Sequence, residues 1–253
     1  MNTDWISFTT DYGSADGFVA ACHGVIARIA PHVRIIDITH EIAPQDVRGG
    51  ANVLAQTVPY LPAAVHLAVV DPGVGTARKP IVIVGSGGVF VGPDNGLLVE
   101  AAGPVEAAYE LAAERFRLPA VSATFHGRDI FAPAAAHLAL GVEPSEFGPP
   151  VEPIRLPEPA PGDVIGIDRF GNIQLAATEL DCGPNVTVNG VPATVARTFG
   201  DVPEGDLLVL IDSAGHVAIA VNGGSAAERL GFADRRDVDR PVHMGKTVLV
   251  LDR

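Results

Sequence analysis

Basic residues are scarce in this 253-residue sequence. It has 17 Lys and Arg against 30 Asp and Glu, which gives a formal net charge of -13. Binding to nucleic acid or to an anionic membrane surface needs a basic patch, so the composition argues against both as partners. No apolar run approaches the roughly 18 residues needed to span a membrane. The opening "MNTDWISFTTDYG" also has no basic or apolar signal segment, so we expect a cytoplasmic protein.

Cysteine is almost absent as well. The two cysteines, Cys22 and Cys182, offer no zinc-like spacing and no disulfide framework, so both read as buried thiols. The histidines outside "TFHGRD" show no metal-ligand spacing along the chain either. We therefore predict no metal site, although a site assembled from Asp and His by the fold itself stays open.

What is present is a regular alternation of strand and helix patterns. Apolar runs such as "WISFTT", "VRIIDIT" and "AVHLAVVD" indicate buried strands, and "KPIVIVGS" and "GVFVGPD" indicate two more. Helical spacing separates them in "DGFVAACHGVIARIAP" and "APQDVRGGANVLAQTVPYL", and follows them in "RDIFAPAAAHLALG". The pattern predicts an α/β domain with a mainly parallel sheet covered on both faces.

The second part of the chain has a different character. The stretch from Gly141 to Gly162, "GVEPSEFGPPVEPIRLPEPAPG", is too rich in proline for a helix or a central strand. Short strands with turn signals follow it, including a hairpin signal at Asn189-Gly190 and a last strand in "KTVLVLD". We predict an α/β domain over 1–150, a proline-rich linker over 151–162 and a small all-β barrel over 163–253.

Two carboxylates follow predicted parallel strands, where the ligands of open α/β sheets bind. Asp11 ends the first strand and suits the two hydroxyls of a ribose, but it could equally cap the next helix. Asp71 ends the third strand, and the bend Pro72–Gly75 lets Arg78 return over it. The Asp71–Arg78 pair is interpreted either as part of a catalytic site or as a structural ion pair that holds the loop in place. For Asp16, just before the first helix, a capping role is favoured from position alone.

Two further loops carry candidate residues. His126 in "TFHGRD" lies before a helix, an arrangement found in catalytic sites and in folds without chemistry. In "IDRFGNIQL", Phe170 and Asn172 are suited to stack on a base and to pair with its edge, although an ordinary turn with an anchoring Phe explains them as well.

In this order, "TTDYG", "DITHEIAPQDVRGGA", "VVDPGVGTARK", "GPDNGLL", "TFHGRDIFAPAAAHLA", "IDRFGNI" and "AVNGGSAAE" resemble the S-adenosyl-L-methionine (SAM) hydroxide adenosyltransferase family over nearly the whole chain. That family comprises the adenosine-forming SAM hydrolases and is related to enzymes that fluorinate or chlorinate SAM. The resemblance implies an N-terminal α/β domain, a small C-terminal β-barrel, and a homotrimer with active sites between subunits.

The resemblance also implies roles for individual residues. The hydrolytic set falls on Asp71, Arg78 and His126, and ribose binding falls on Asp11 and, at the side of the ring, on Phe125. The methionine end and the sulfonium are implied for Asp16, Asp168 and Ser213. Adenine contact is implied for Phe170, Asn172, Val221, Asn222 and Gly223.

Departures from the halogenating relatives favour water as the nucleophile. This chain is similar to those relatives elsewhere, but they have an uncharged aromatic residue in place of Asp71 and a Tyr-Ser pair in place of His126-Gly127. A carboxylate repels a desolvated halide but can orient water. Two family aromatics near the adenosine are replaced here by Gln45 and Gln174, which leaves those contacts open.

The function implied is hydrolysis of SAM to adenosine and L-methionine, without a cofactor and with SAM as the only small-molecule partner. Two alternatives remain at this stage. One is a SAM-dependent halogenase that forms 5′-chloroadenosine, and the other is a non-catalytic protein that binds adenosine or SAM.

Overall fold

The computed structural model describes residues 3–232 and 242–246. The chain forms two compact units, Met1–Leu156 and Pro157–Arg253. Within the described ranges, no helix combines the length and the apolar character that crossing a membrane requires.

The first unit is built on a six-stranded sheet. Its strands are β1 (Trp5–Thr10), β2 (Arg34–Thr39), β3 (Val65–Val69), β4 (Pro80–Gly85), β5 (Gly88–Pro93) and β6 (Val105–Glu110). They lie in the order β2-β1-β3-β5-β4-β6. The pairs β1–β2, β1–β3 and β3–β5 are parallel, whereas β4 is antiparallel to both of its neighbours.

The expectation of a mainly parallel sheet is therefore confirmed only in part, because the sheet is mixed. Only two residues, Ser86 and Gly87, join β4 to β5. A connection that short forms a hairpin between antiparallel neighbours and cannot cross over to a parallel one. Strand β6 was not predicted, because its sequence "VEAAYE" is rich in Glu and Ala, which are depleted in strands.

Helices cover both faces of this sheet, as the near-continuous apolar strands predicted. They are α1 (Phe18–Ile29), α2 (Val47–Thr57), α3 (Val99–Ala102) and α4 (Ala132–Ala139), with single 3-10 turns at Val58–Tyr60, Glu114–Phe116 and Pro144–Phe147. Successive residues of β3 face opposite sides, so that Leu67 and Val69 pack with α1 and α4 while Ala68 and Val70 pack with α2.

The helix ends match the sequence signals. Helix α1 ends at Ile29, two residues before Pro31, and Asp46 caps α2 by accepting a hydrogen bond of 2.8 Å from the Gly49 N–H. A π-helical turn, Gly127–Phe131, leads into α4. Such turns are rare and are frequently found at functional sites.

The proline-rich stretch contains one 3-10 turn and otherwise follows the edge of β6. Phe147 is buried, and its carbonyl accepts hydrogen bonds from the Ala112 and Ala113 N–H groups. Farther along, the Val151 N–H donates to the Ala108 carbonyl, and the Ile154 N–H donates to the carboxylate of Asp94. Residues up to Leu156 are thus part of the first unit.

The second unit is a seven-stranded sheet. Its strands are β7 (Val164–Ile167), β8 (Ile173–Leu175), β9 (Asn185–Val188), β10 (Val191–Val195), β11 (Leu207–Ile211), β12 (Val217–Val221) and β13 (Met244–Lys246). Their order is β13-β9-β10-β11-β12-β8-β7. The pair β10–β11 is parallel and the other neighbours are antiparallel.

The predicted all-β barrel is likewise confirmed only in part. In the described residues the sheet is a curled half-barrel with β13 and β7 at its two edges, and it carries a short helix, α5 (Ala226–Arg229). The parallel pair explains part of the difference, since residues 196–206 must cross over between β10 and β11 instead of forming a hairpin.

The predicted hairpin between β9 and β10 is confirmed. Asn189 and Gly190 have φ angles of 50° and 83°, both in the left-handed region that a two-residue hairpin turn requires. The predicted last strand, "KTVLVLD", lies outside the described residues except for Lys246.

Candidate active site

Strand β3 delivers Asp71 to the carboxyl edge of the first sheet. The strand is buried throughout, and the side-chain amide of Asn95 donates a hydrogen bond of 2.9 Å to the Val70 carbonyl at its end. Because β1 is the parallel neighbour of β3, Asp11 after β1 and Asp71 after β3 emerge at the same edge. Burial raises the pKa of Asp11, and the charge of the nearby Asp71 carboxylate contributes to that rise.

The loop after Asp71 folds into successive turns that bring Arg78 back to the Asp71 side chain. The Val74 N–H donates to the Asp71 carbonyl, and Thr76 donates from both its N–H and its hydroxyl to the Gly73 carbonyl. Gly75 has a φ of 76°, and a side chain there would collide with the Ala123 carbonyl. The absence of a side chain at Gly75 thus admits the loop that carries His126.

Asp71, Arg78 and His126 lie in direct contact. Arg78 Nε and Nη2 donate to Asp71 Oδ1 and Oδ2 over 3.0 and 2.5 Å, a bidentate pair, and Nη2 also lies 3.0 Å from His126 Nδ1. The side chains of Arg78 and Asp71 are only 7% and 6% exposed. The structure therefore brings together all three residues of the predicted hydrolytic set.

The contact with Arg78 fixes the tautomer of His126. A guanidinium only donates hydrogen bonds, so Nδ1 must be the acceptor, and the proton of the neutral imidazole lies on Nε2. Burial lowers the pKa of His126, and the positive charge of Arg78 lowers it further. His126 is thus a neutral Nε2–H donor at physiological pH.

The guanidinium of Arg78 is only partly satisfied by these bonds. Its carbon lies 5.2 Å from the centre of the Phe131 ring. Its remaining terminal nitrogen, Nη1, is buried and has no hydrogen-bond partner among the residues that the structure describes. A buried donor of this kind favours an acceptor supplied by a bound molecule.

Asp11 is held by the backbone of Gln45. Its Oδ2 accepts a hydrogen bond of 2.8 Å from the Gln45 N–H, at a residue with a φ of 69°. Burial raises the pKa of Asp11, and the bond from Gln45 opposes that rise. The capping alternative for Asp11 and Asp16 is wrong, because the N-cap of α1 is Gly17 and no side chain caps it. Asp16 is exposed.

A pocket of about 220 Å³ connects these residues within the first unit. Asp11, Asp71, Phe125 and His126 line it, as do residues that sequence reasoning did not select: Tyr12, Phe18, Val69, Val74, Thr124 and Gly127. The volume is smaller than the roughly 300–1,000 Å³ of sites that enclose a whole small ligand, so the pocket suits one part of a larger molecule.

Three aromatic rings form one wall of the pocket. The rings of Tyr12, Phe18 and Phe125 meet edge to face, with centroids 5.3 to 6.0 Å apart. Burial raises the pKa of the Tyr12 phenol well above its usual value, so its hydroxyl stays protonated. Tyr12 directly follows Asp11 in "TTDYG", and that position was the signal that could have identified it.

Asp129 fixes the loop that holds Phe125 and His126. Its fully buried carboxylate accepts from the Ser122 N–H and from two nitrogens of Arg128, whose guanidinium lies over the Phe125 ring. Burial alone would raise the pKa of Asp129, but the hydrogen bonds from Arg128 and Ser122 hold it below its usual value. Arg128 therefore positions the loop and is not part of the Asp71 cluster.

In the second unit, Asp168 organises the turn between β7 and β8. Its Oδ1 accepts from the Phe170 and Asn172 N–H groups, and its Oδ2 accepts from the Asn172 side chain. The Phe170 ring is 74% exposed, so one of its faces is open for stacking. Oδ2 accepts only one of these bonds and keeps a further lone pair for a ligand.

The segment after β12 packs beside this turn. The Ala227 N–H donates to the Gly171 carbonyl, and a side chain at Gly171 would collide with Ser225. Asn222 is tied to the backbone at its N–H, carbonyl and side chain, and Gly223 has a φ of 73°. The turn at Phe170 and the Val221–Gly223 segment thus form one neighbourhood.

Ser213 is not part of that neighbourhood. It lies in the turn between β11 and β12, whereas Asn222 follows the other end of β12, about 13 Å away at the usual rise per strand residue. Beside this turn, Gln174 donates a hydrogen bond of 2.6 Å to the Asp212 carboxylate. Gln174 therefore supports the Ser213 turn through Asp212.

Comparison with known proteins gives a consistent picture. Residues 6–148 match the SAM hydroxide adenosyltransferase N-terminal domain, and residues 162–239 match the C-terminal domain of the same family. The (R)-S-adenosyl-L-methionine hydrolase of Salinispora arenicola is 58% identical, over 90% of this chain and 94% of its own. The protein of the same name from Thermus thermophilus is 45% identical, over 90% and 96%.

More distant and structural relatives agree. A fluorinase from an Actinoplanes species is 28% identical, over 88% of this chain and 92% of its own. Among solved structures, an uncharacterised conserved protein from Thermotoga maritima superposes with a TM-score of 0.86 at 38% identity, covering 94% of this chain and 99% of its own.

Proposed function

Because the chain belongs to the SAM hydroxide adenosyltransferase family, we propose that it hydrolyses SAM to adenosine and L-methionine. The observation that carries this proposal is the contact of Arg78 with Asp71 and His126, two residues that line a pocket together with Asp11. This arrangement offers the Asp71 carboxylate and the His126 Nε2–H donor to a water molecule beside a ribose site.

The reaction has little need of an acid catalyst, because its leaving group is neutral. The oxygen of water attacks the ribose 5′ carbon, and the electron pair of the breaking C5′–S bond passes to the sulfonium, which leaves as the neutral thioether of methionine. The water loses one proton, which passes to the enzyme and then to solvent. What accelerates such a displacement is a water held in line with the C–S bond and a group that accepts its proton.

We assign the proton-accepting role to Asp71. His126 presents Nε2–H, and its Nδ1 lone pair is engaged by Arg78, so it is better suited to orient the water than to deprotonate it. Arg78 holds the Asp71 carboxylate in place, and its positive charge beside Asp71 and His126 is suited to stabilise developing hydroxide. With these roles assigned, the unoccupied lone pairs of the Asp71 carboxylate are the sites that accept the proton of the water.

Asp11 is the proposed ribose ligand. It lies in the same pocket as Asp71, its position is held by the Gln45 N–H, and one carboxylate can accept hydrogen bonds from both ribose hydroxyls. Phe125 would lie against the ring of the sugar. The small volume of this pocket fits the ribose and the sulfonium better than the whole substrate.

The remaining binding roles follow the family resemblance. Phe170 and Asn172, with the backbone at Val221, Asn222 and Gly223, are proposed to bind adenine, and the exposed Phe170 ring supports stacking. Asp16, Asp168 and Ser213 are proposed to bind the methionine end. We also propose a homotrimer with active sites at subunit interfaces, acting in the cytoplasm without a cofactor, nucleic acid or membrane partner.

Product analysis tests the activity directly. Purified protein is incubated with SAM in water enriched in oxygen-18, and the products are separated by chromatography and mass spectrometry. The expected result is equimolar adenosine and methionine, with the heavy oxygen at the adenosine 5′ hydroxyl. Label in any other product, or cleavage to other fragments, would contradict attack at C5′. Both sulfonium epimers should be offered, since the relatives are named for the (R) form.

The same assay separates the two alternatives. With chloride present, 5′-chloroadenosine as the main product would identify a halogenase, whereas tight binding of SAM without turnover would identify a binding protein. Light scattering with and without SAM measures the proposed trimer independently of the chemistry.

A further inference from the structure

The fold brings together three potential metal ligands that are separated along the chain. His23 lies on α1, Asp37 on β2, and His40 just after β2. One nitrogen of each imidazole and one carboxylate oxygen of Asp37 all lie within 4.8 Å of one another. None of these residues lines the pocket that holds Asp71 and His126.

Both imidazoles converge on the same oxygen atom. His23 Nε2 lies 2.9 Å and His40 Nε2 lies 3.1 Å from Asp37 Oδ1. Ligands at about 2.0–2.1 Å from a tetrahedral zinc ion are roughly 3.3 Å apart. A metal ion at the centre therefore needs each nitrogen to move away from the Asp37 oxygen by only a few tenths of an ångström, with the two nitrogens, which lie within 4.8 Å of each other, settling at a similar separation.

His40 has the second hydrogen bond that is typical of a metal-binding histidine. Its Nδ1 lies 2.9 Å from the Thr10 hydroxyl, which can accept a hydrogen bond from Nδ1–H and so leave the Nε2 lone pair directed at the cluster. Nε2 is buried and, within the described part of the chain, makes no hydrogen bond despite its closeness to Asp37. A metal ion would satisfy this nitrogen.

The three potential metal ligands lie on or beside packed elements of the fold. The fully buried ring of Phe8 contacts both imidazoles, with centroids 5.8 Å from His23 and 4.9 Å from His40. Solvent still reaches the cluster, because the side chains of His23 and Asp37 are 33% and 41% exposed. An ion can enter, and a fourth ligand position remains for water.

We propose that His23, Asp37 and His40 form a binding site for a divalent transition-metal ion of the zinc type. Two imidazoles and one carboxylate are a ligand set that such ions favour over Mg²⁺ or Ca²⁺, which prefer oxygen alone. The site joins α1 to the ends of β1 and β2. Since the His40 carbonyl accepts a hydrogen bond from the Gly13 N–H, the ion would also stabilise the loop that follows Asp11.

Titration with zinc tests the site. The full-length protein, stripped with a chelator and free of any polyhistidine tag, is titrated with Zn²⁺ by calorimetry and followed by thermal unfolding. The expected result is one saturable site per chain and a melting temperature raised by a few degrees, with no response to Mg²⁺. Substitution with Co²⁺ should give the visible absorption bands of a tetrahedral complex.

The variant His23→Gln removes one ligand at a partly exposed position and should weaken Zn²⁺ binding at least tenfold. The matched control is His32→Gln, which changes an exposed histidine of the neighbouring loop and should bind as the wild type does. If His23→Gln does not fold without metal, Asp37→Asn serves the same purpose. Absence of saturable binding by the wild type, or unchanged binding by the ligand variant, would show that the cluster is only a hydrogen-bonded network.

Discussion

At the scale of the residue, the candidate site is decided by the directions of a few hydrogen bonds. Arg78 engages both oxygens of Asp71 and one nitrogen of His126, and this leaves only one arrangement of protons on the imidazole. The sequence predicted which three residues would meet, from their places in the motifs. It could not predict the tautomer, which depends on the distances between side chains that lie 48 residues apart.

Removing the carboxylate charge should affect turnover more than binding. Asp71→Asn is expected to lower kcat by roughly 10²–10⁴-fold with a small change in KM, because the water loses its proton acceptor. Arg78→Lys should also lower kcat, since a lysine cannot hold Asp71 and His126 together. Steady-state hydrolysis of SAM measures both.

The controls for these variants come from an exposed ion pair. Arg115 and Glu146 form a salt bridge of 3.4 Å with side chains 62% and 52% exposed. Arg115→Lys and Glu146→Gln repeat the same chemical changes away from the site and should leave kcat unchanged. Equal losses in site and control variants would contradict the assignment.

The pH dependence of turnover should report His126. Burial and the positive charge of Arg78 lower its pKa, so the imidazole becomes half protonated only at a pH below its usual pKa of about 6.5. Protonated Nδ1 would face the guanidinium and lose that hydrogen bond. Activity should therefore fall on the acid side, with the midpoint of that fall below pH 6.5.

The variant His126→Asn distinguishes this group from other acids. The asparagine oxygen can accept from Arg78 in place of Nδ1 but does not titrate, so the acid limb that belongs to His126 should vanish from its profile of kcat/KM against pH. An acid limb above pH 6.5 in the wild type, or the same limb in the variant, would overturn the assignment.

At the scale of the element, loops and one irregular helical turn place the site, while the sheet supplies its edge. The π-helical turn begins at Gly127, immediately after His126, and packs against Tyr12. Helical periodicity predicted one helix through this stretch, because a π-helical turn has no separate sequence signal. The exact packing of Gly127 on Tyr12 depends on two loops that meet only in the folded chain.

Gly127→Ala tests that packing. An added methyl group would collide with the Tyr12 hydroxyl, so the variant should lose roughly 1–3 kcal/mol of unfolding free energy and lower kcat by displacing His126. Adding Tyr12→Phe removes the colliding oxygen and should recover most of the lost stability. Gly24→Ala, at an exposed helical position with nothing within 4 Å of the new carbon, is the control and should not destabilise the protein.

At the scale of the whole molecule, two units with separate cores share the proposed substrate contacts. The first unit carries Asp11, Asp71, Arg78, Phe125 and His126, and the second carries the Phe170 turn and the Val221–Gly223 segment. Each core covers both faces of its own sheet. The first core also encloses a titratable group, His66, that takes no part in the proposed chemistry.

His66 should make the stability of the protein depend on pH. Burial lowers its pKa to about 4, and its Nδ1 lies 2.8 Å from the Ser7 hydroxyl. Below pH 6.5 the unfolded chain binds a proton at this residue while the folded chain does not, so the unfolding free energy falls as the pH drops from 6.5 to about 4. The loss is on the order of 3 kcal/mol.

Chemical denaturation at several pH values measures this loss. His66→Gln keeps a partner for Ser7 without a titrating group, so its stability should change less with pH over the same range. Parallel curves for the wild type and the variant would show that His66 does not contribute.

Local signals in the sequence were sufficient for the strands that end at Asp11 and Asp71, the helices between them, and the Asn189-Gly190 hairpin. Those features depend on side-chain periodicity and on turn residues that act over a few positions. Family motifs further predicted which polar residues belong to one site. Only the tertiary structure decided the antiparallel β4, the half-barrel that the described residues of the second unit form, the tautomer of His126, and the meeting of His23, Asp37 and His40. Each of these depends on contacts between segments far apart in the chain, which local propensity does not encode.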